Sequence, residues 1–180
     1  MDYYVVQVST GKEKKFIEDA ESKNKFDEIP YSIVFPQRVL KIRKAGKVTE
    51  KQLAVFAGYL FIGTDGISRE LYQHIKKCKG FYRFLPNNQE PKSLQGRDLE
   101  ILNQFISFGG VAKISQVIFD ENDRIKIIEG PLSGLEGYIV RVNKRKERAT
   151  ICLDMCETSF SIDLGFEEIS KEKKKNEPSY

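Results

Sequence analysis

Apolar and polar positions alternate in two rhythms along this 180-residue chain. Residues 3–8, YYVVQV, form a compact run of β-branched and aromatic side chains that predicts a first strand. Thr10 and Glu13 follow at capping-box spacing, Thr10 placed to cap a helix and Glu13 to reach back, with Phe16, Ile17 and Ala20 as its apolar face. Residues 31–35 read as a second strand stopped by Pro36, 39–42 as a third leading into a turn at 44–47, and 53–62 as a long apolar strand. Ser68 is the N-cap candidate of a second helix that carries Leu71, Ile75 and Cys78 on one face and stops at Gly80. Residues 81–85 predict another strand, ended by Pro86; 87–95 are a polar loop, and Leu99, Leu102 and Ile106 mark a third helix ending at Gly109 and Gly110. Strand, helix, three strands, helix, strand predicts an α+β domain over residues 1–110, its antiparallel sheet covered by helices.

The rhythm shortens near residue 123. In IKIIEGPLSGLEGYIVRV, residues 125–142, two short apolar runs flank a turn built on Gly130, Pro131 and Gly134, with Gly137 where the second run begins. Pro131 presets φ, and the glycines reach positive φ that a Cβ would resist. Residues 150–155 and 159–164 read as two more strands, the last placing Phe160, Ile162 and Leu164 on one face against Ser161 and Asp163. Four short strands within residues 123–170 predict a small all-β barrel. Its glycines and proline would break any helix there, so a permanently β domain is expected. Residues 111–122 are the expected linker, with 117–119 assignable to either side, and 171–180 an expected disordered basic tail.

At 40% hydrophobic and 11% aromatic, the chain can build packed cores. The longest apolar run, residues 53–62, is interrupted by Gly58 and is shorter than the roughly 18–20 residues a membrane span needs. Met1 and Asp2 offer neither a basic nor a long apolar leader, so a soluble cytoplasmic protein with no membrane partner is expected. The net charge of +4 is gathered at residues 12–15, 41–51, 76–79 and 141–148. One such cluster alone reads as a solvated face; several together point to a polyanion.

The chemistry-bearing patterns mostly exclude. Three cysteines in a cytosolic-looking chain argue against a disulfide framework. Cys152 and Cys156 on an extended strand would sit roughly 13 Å apart, too far to share one tetrahedral ion. Ser9, Thr10, Gly11 and Lys12 lie between a strand and a helix like a phosphate loop, but Val6 stands where its first glycine belongs and Glu13 where Ser or Thr belongs. With no nucleophile elbow or metal cluster either, no enzyme, metal or cofactor is expected.

Two separate stretches resemble one family. DRIKIIEGPLSGLEG at residues 123–137 is similar to the KOW motif of NusG-type transcription factors. YYVVQV at 3–8 with Gly11, and VFAGYLFI at 55–62, resemble the first strand and the phenylalanine-proline-glycine-tyrosine strand of the family's N-terminal NGN domain. The order, the spacing and the Gly80-Phe81 junction also fit, over about residues 3–170. Ribosomal proteins carry KOW motifs too, but the pair is specific. Ala57 stands where the proline is usual, Tyr3 where a tryptophan is common, and residues 154–159 lack the family's phenylalanine-glycine pair. Together with the basic turn at 143–149, these departures look more like the specialised RfaH and, above all, LoaP-type antiterminators.

The resemblance implies a non-enzymatic, monomeric elongation or antitermination factor whose NGN domain docks on the clamp helices of RNA polymerase, bridges the cleft and suppresses pausing or termination. It implies an SH3-like KOW barrel as the second domain. The docking surface would use Tyr4, Phe56, Tyr59, Phe61, Phe81 and Phe84, about half of them expected in the core because strand alternation separates them. Tyr72, Gln73 and His74 would face the opposite jaw, with His74 as an exposed contact. Lys12, Lys14 and Lys15 would hold non-template DNA through phosphates, or are simply solvated helix lysines. Arg141, Lys144, Arg145, Lys146 and Arg148 would grip nascent RNA, or form a soluble loop. General family members bind the termination factor Rho or a small-subunit ribosomal protein through apolar barrel-loop residues, here Leu132 and Leu135. The rival reading is a ribosome- or RNA-binding KOW protein acting without RNA polymerase.

Overall fold

A computed structural model describes residues 1–23 and 29–169; the tail expected to be disordered, 171–180, lies outside the described residues. The described chain divides into two compact units. Unit 1 comprises Met1–Pro36, Ala54–Gly110 and Met155–Thr158; unit 2 comprises Gln37–Leu53, Val111–Asp154 and the chain from Ser159.

Unit 1 is built on a four-stranded sheet ordered β2-β5-β1-β6, from β1 (Asp2–Val8), β2 (Ser32–Val34), β5 (Tyr59–Thr64) and β6 (Phe81–Phe84). All of its pairings are antiparallel, with Tyr4 opposite Ile62 and Val6 opposite both Leu60 and Phe84. The helices α1 (Glu13–Lys23) and α2 (Arg69–Lys76) cover one face, where Phe16, Ala20, Leu71, Ile75 and Cys78 pack with Val6, Val8, Leu60, Ile62 and Phe84. The other parity of β5 carries Phe61, whose ring lies 5.6 Å from Phe56, itself 5.6 Å from Phe105 of α3 (Gly96–Ser107). The α+β sandwich predicted from the pattern is therefore present, with both central strands buried on both sides, but the strand expected at 39–42 belongs to another sheet and falls in unit 2.

Ser68 caps α2 as expected, its Oγ accepting the Leu71 N–H at 3.1 Å. Three details differ from expectation. Glu13 does not reach back to its own helix start: its carboxylate is buried and accepts the Gly58 N–H at 2.7 Å. The apolar stretch 53–62 is two strands, because Gly58 turns the chain at φ +83° and the Tyr59 N–H closes a turn on the Phe56 carbonyl. A Cβ at Gly58 would meet Thr10 Oγ1 at 2.7 Å, so this turn requires glycine. On α3 the buried stripe is Ile101, Leu102 and Phe105 rather than Leu99, Leu102 and Ile106, since Phe105 is the side chain that meets Phe56.

Unit 2 holds the hairpin of β3 (Gln37–Lys44) and β4 (Lys47–Ala54), joined through Ala45 and Gly46 at φ 50° and 77°, the doubly left-handed geometry that suits twisted two-residue hairpins. β7 (Val111–Ala112) adds parallel to β3. A second sheet, ordered β10-β11-β12-β8-β9, contains β8 (Ser115–Phe119), β9 (Ile125–Glu129), β10 (Ile139–Asn143), β11 (Arg148–Met155) and β12 (Thr158–Glu168). The expected linker 111–122 thus carries two strands: Val117 is fully buried, and β8 pairs with both β9 and β12. Alternation along β11 and β12 sends Ala149, Ile151, Leu153, Ile162, Leu164 and Phe166 inward, while Phe160 is half-buried. This unit is all β, as the glycine-rich turn predicts.

That turn is a close backbone contact. Gly130, at φ +104°, lies so near β8 that a Cβ would sit 2.7 Å from the Ser115 Cα. The Ser115 hydroxyl accepts the Leu132 N–H at 3.0 Å, and Leu132 and Leu135 fold inward.

Candidate functional site

The structure sorts the expected polymerase-facing aromatics into scaffold and surface. Phe56, Phe61 and Phe84 are fully buried, so none of these three offers a ring face to a partner. Tyr4, Tyr59, Tyr72 and Phe81 are half-buried and Gln73 is exposed. Tyr72 stacks on Phe84 at 5.6 Å and 24°, and Phe81 tilts onto the same ring at 5.8 Å. Tyr4, Tyr72 and Phe81 all pack against the core under α1 and α2, whereas Tyr59 follows the parity of Phe61 on the other face of the sheet. The expected set therefore lies on two faces of the sheet. His74, expected as an exposed contact, is half-buried, 2.9 Å from the Tyr31 hydroxyl, and burial holds its imidazole below the ordinary 6.5.

One exposed aromatic stands outside the expected set. Tyr82 is 61% exposed, the one aromatic among the exposed large hydrophobic side chains of the described residues. Beside it, Tyr59, Gln7 and Arg83 form a row across three strands, with Arg83 Nε donating to Gln7 Oε1 at 3.0 Å. The period-two pattern of FYRF pairs Tyr82 with Phe84, but a register shift at Gln7/Val8 breaks that alternation.

Lys12, Lys14 and Lys15 are exposed at the start of α1. Lys12 and Lys15 line a groove of about 660 Å3 with Lys79, Ser9 and Ser22. Asp19 also borders it but is engaged: the Lys23 ammonium at 2.7 Å and the Lys79 N–H at 2.9 Å lower its pKa.

In unit 2, Asn143 Oδ1 accepts the Lys146 N–H at 2.9 Å and caps a tight turn through Lys144, Arg145 and Lys146, after which Glu147 is left-handed at φ 53°. Arg141, Arg145 and Lys146 project outward. The other two expected RNA contacts have protein partners. Lys144 Nζ lies 2.5 Å from Asp123 and 3.8 Å above the Phe119 ring, while Arg148 donates to the Lys41 carbonyl at 3.1 Å and approaches Asp163 at 3.6 Å. Leu132 and Leu135, expected as apolar loop contacts, are 0% and 1% exposed and belong to the core.

Cys78 is buried and its thiol is pushed up to about 11, while burial first and then Asp98 raise Cys156 to about 12. Among the described residues no group of His, Cys, Asp or Glu is arranged to hold a metal ion, and no helix is long and apolar enough to cross a membrane.

Comparison with known proteins agrees with this layout. Relatives described as "Transcription termination/antitermination protein NusG" include that of Thermus thermophilus, 22% identical over 181 residues covering 95% of this chain and 98% of the relative. That of Campylobacter jejuni is 21% identical over 172 residues, covering 94% and 96%. A solved structure described as "Domain interaction in Thermotoga maritima NusG" shares the fold, with a TM-score of 0.60 at 19% identity over 91% of this chain and 93% of that one. The family model "Transcription termination factor nusG" matches residues 1–103, more than half of the chain, and the chain belongs to the NusG family.

Proposed function

We propose that this protein is a non-enzymatic transcription elongation and antitermination factor that docks on the clamp helices of RNA polymerase through unit 1 and suppresses pausing or termination. The observation that carries this reading is the family match over residues 1–103, which contain the half-buried aromatics of unit 1. Tyr4, Tyr59, Tyr72 and Phe81 are the contacts, joined by Tyr82 and Gln73; Tyr72 and Phe81 rest on the buried Phe84 ring while keeping exposed area that can lose water against a partner. Phe56, Phe61 and Phe84 support them from beneath, and His74 orients α2 through Tyr31. Lys12, Lys14 and Lys15 hold non-template DNA phosphates. Arg141, Arg145 and Lys146 contact nascent RNA, with Lys144 and Arg148 bracing their turn. The basic turn of unit 2 supports the LoaP-like specialisation, whereas a barrel-loop contact with Rho or a ribosomal protein would need side chains other than Leu132 and Leu135, which are buried.

A surface-immobilised core polymerase tests the docking claim. Tyr59→Glu and Phe81→Glu should each weaken binding at least about tenfold, the effect of losing an interface hot spot. Binding unchanged by both substitutions would remove this docking surface. The outward cations of unit 2 favour a second reading, an RNA-binding module that needs no polymerase; affinity for ribosomal RNA with none for polymerase would select it.

A further inference from the structure

Two segments distant in sequence line one basic cavity of about 490 Å3 within unit 2: Lys41 and Arg43 of β3, and Arg145, Lys146 and Arg148 around the start of β11. The five cations divide by what they touch. Lys41 and Arg148 hold the two walls together: Arg148 Nη2 donates to the Lys41 carbonyl at 3.1 Å and Nη1 lies 3.6 Å from Asp163, while Lys41 Nζ lies 3.2 Å from Glu147 and 4.0 Å from Glu167. Gly165 of β12 permits the close approach of β3, since a Cβ there would stand 3.0 Å from the Val39 carbonyl. Arg43, Arg145 and Lys146 are exposed, and none of the ion pairs among the described residues involves them. The turn that carries two of them is fixed at both ends, by Asn143 and by the Phe166 N–H on the Glu147 carbonyl at 3.0 Å.

We propose that this cavity is a phosphodiester cradle with two walls: Arg43 on one side and Arg145 with Lys146 on the other clasp the backbone of a nucleic acid. The proposal rests on the RNA-binding reading of the basic turn and deepens it, adding β3 as the second wall and giving Arg148 a positioning role. The lining contains no aromatic platform on which a base could stack, so it reads backbone charge rather than base identity. Its one apolar side chain is Ile42. An acidic peptide would therefore gain only charge there, whereas a nucleic acid presents regularly spaced anions to both walls.

Fluorescence anisotropy on the full chain tests this with a labelled RNA stem-loop, a DNA duplex and single-stranded RNA, and with poly-glutamate as competitor. Arg43→Gln, Arg145→Gln and Lys146→Gln should each weaken binding about fivefold near physiological salt and flatten the plot of log K against log salt by about 0.7 to 0.9. Lys126→Gln, on an exposed residue of β9 outside the cavity, should do neither. Thermal melting of each variant checks that it folds. Saturable binding to the stem-loop or the duplex supports the cradle, and the tighter of the two identifies the source of the backbone. If Arg43→Gln binds like the unaltered protein while the two turn variants lose affinity, the second wall is wrong and the basic-turn reading stands. If all three bind normally, both fail; if they lose affinity but poly-glutamate displaces the nucleic acid at equal charge, the cavity belongs to an acidic peptide instead.

Discussion

The contacts proposed for unit 1 and for unit 2 stand at different distances from their cores. In unit 1 the surface aromatics are continuous with the interior: Tyr72 and Phe81 rest on buried Phe84, and Tyr59 shares a strand face with buried Phe61. In unit 2, Arg43, Arg145 and Lys146 stand outside a core of Val117, Ile151, Leu153, Ile162 and Leu164. Aromatic binding surfaces gain affinity from apolar area that folding also needs, whereas phosphate-binding cations need only a rigid place to stand. Stability and binding should therefore change together where the aromatics of unit 1 rest on its core, and separately in unit 2.

The largest test of that contrast is Phe84→Ala, which removes a fully buried ring and should cost about 3–5 kcal/mol together with polymerase binding. Urea denaturation followed by circular dichroism checks the stability, and Tyr82→Ala should stay within about 0.5 kcal/mol. Similar losses for both variants would erase the distinction between scaffold and surface. In unit 2, Gly130→Ala drives a Cβ to 2.7 Å from Ser115 at φ +104° and should cost about 2–3 kcal/mol, again by urea denaturation. Arg145→Gln should lose nucleic acid while its denaturation midpoint holds; a large stability loss there would mean that unit 2 also couples the two.

Much of this architecture is legible from pattern because burial imposes it. YYVVQV becomes β1, the alternation after residue 159 becomes β12, and Ser68 caps α2. What escapes the pattern is set by tertiary partners. β4 has no buried side chain, so it shows no apolar period to read. On α3, two apolar stripes both fit helical spacing, and only contact with Phe56 chooses Phe105 over Ile106. The candidate site behaves the same way. A lone histidine reads as exposed until Tyr31, 43 residues away, is brought to it. A run of basic residues does not reveal that Asp123 and Asp163 engage Lys144 and Arg148 while Arg145 and Lys146 remain outward.

Smaller effects sharpen the contrast. Glu157 in the β11–β12 turn adopts φ 60°, a conformation that disfavours a side chain, so Glu157→Gly should stabilise by about 1 kcal/mol in thermal or urea denaturation. His74 gives unit 1 a pH dependence. Burial lowers its folded pKa below 6.5, so the unfolded chain binds a proton more readily. Its contribution is complete above pH 6.5 and is lost as the pH falls through the folded value. His74→Gln should flatten the stability profile below pH 6.5, measured by urea denaturation across pH; an unchanged slope would deny His74 this role.

Single-round transcription by core polymerase across a terminator, with and without the protein on its native leader, tests the central claim most directly. The account predicts more readthrough and shorter pauses with the unaltered protein, and a loss of both with Tyr59→Glu or Phe81→Glu. Pausing and termination unchanged by saturating protein would contradict it.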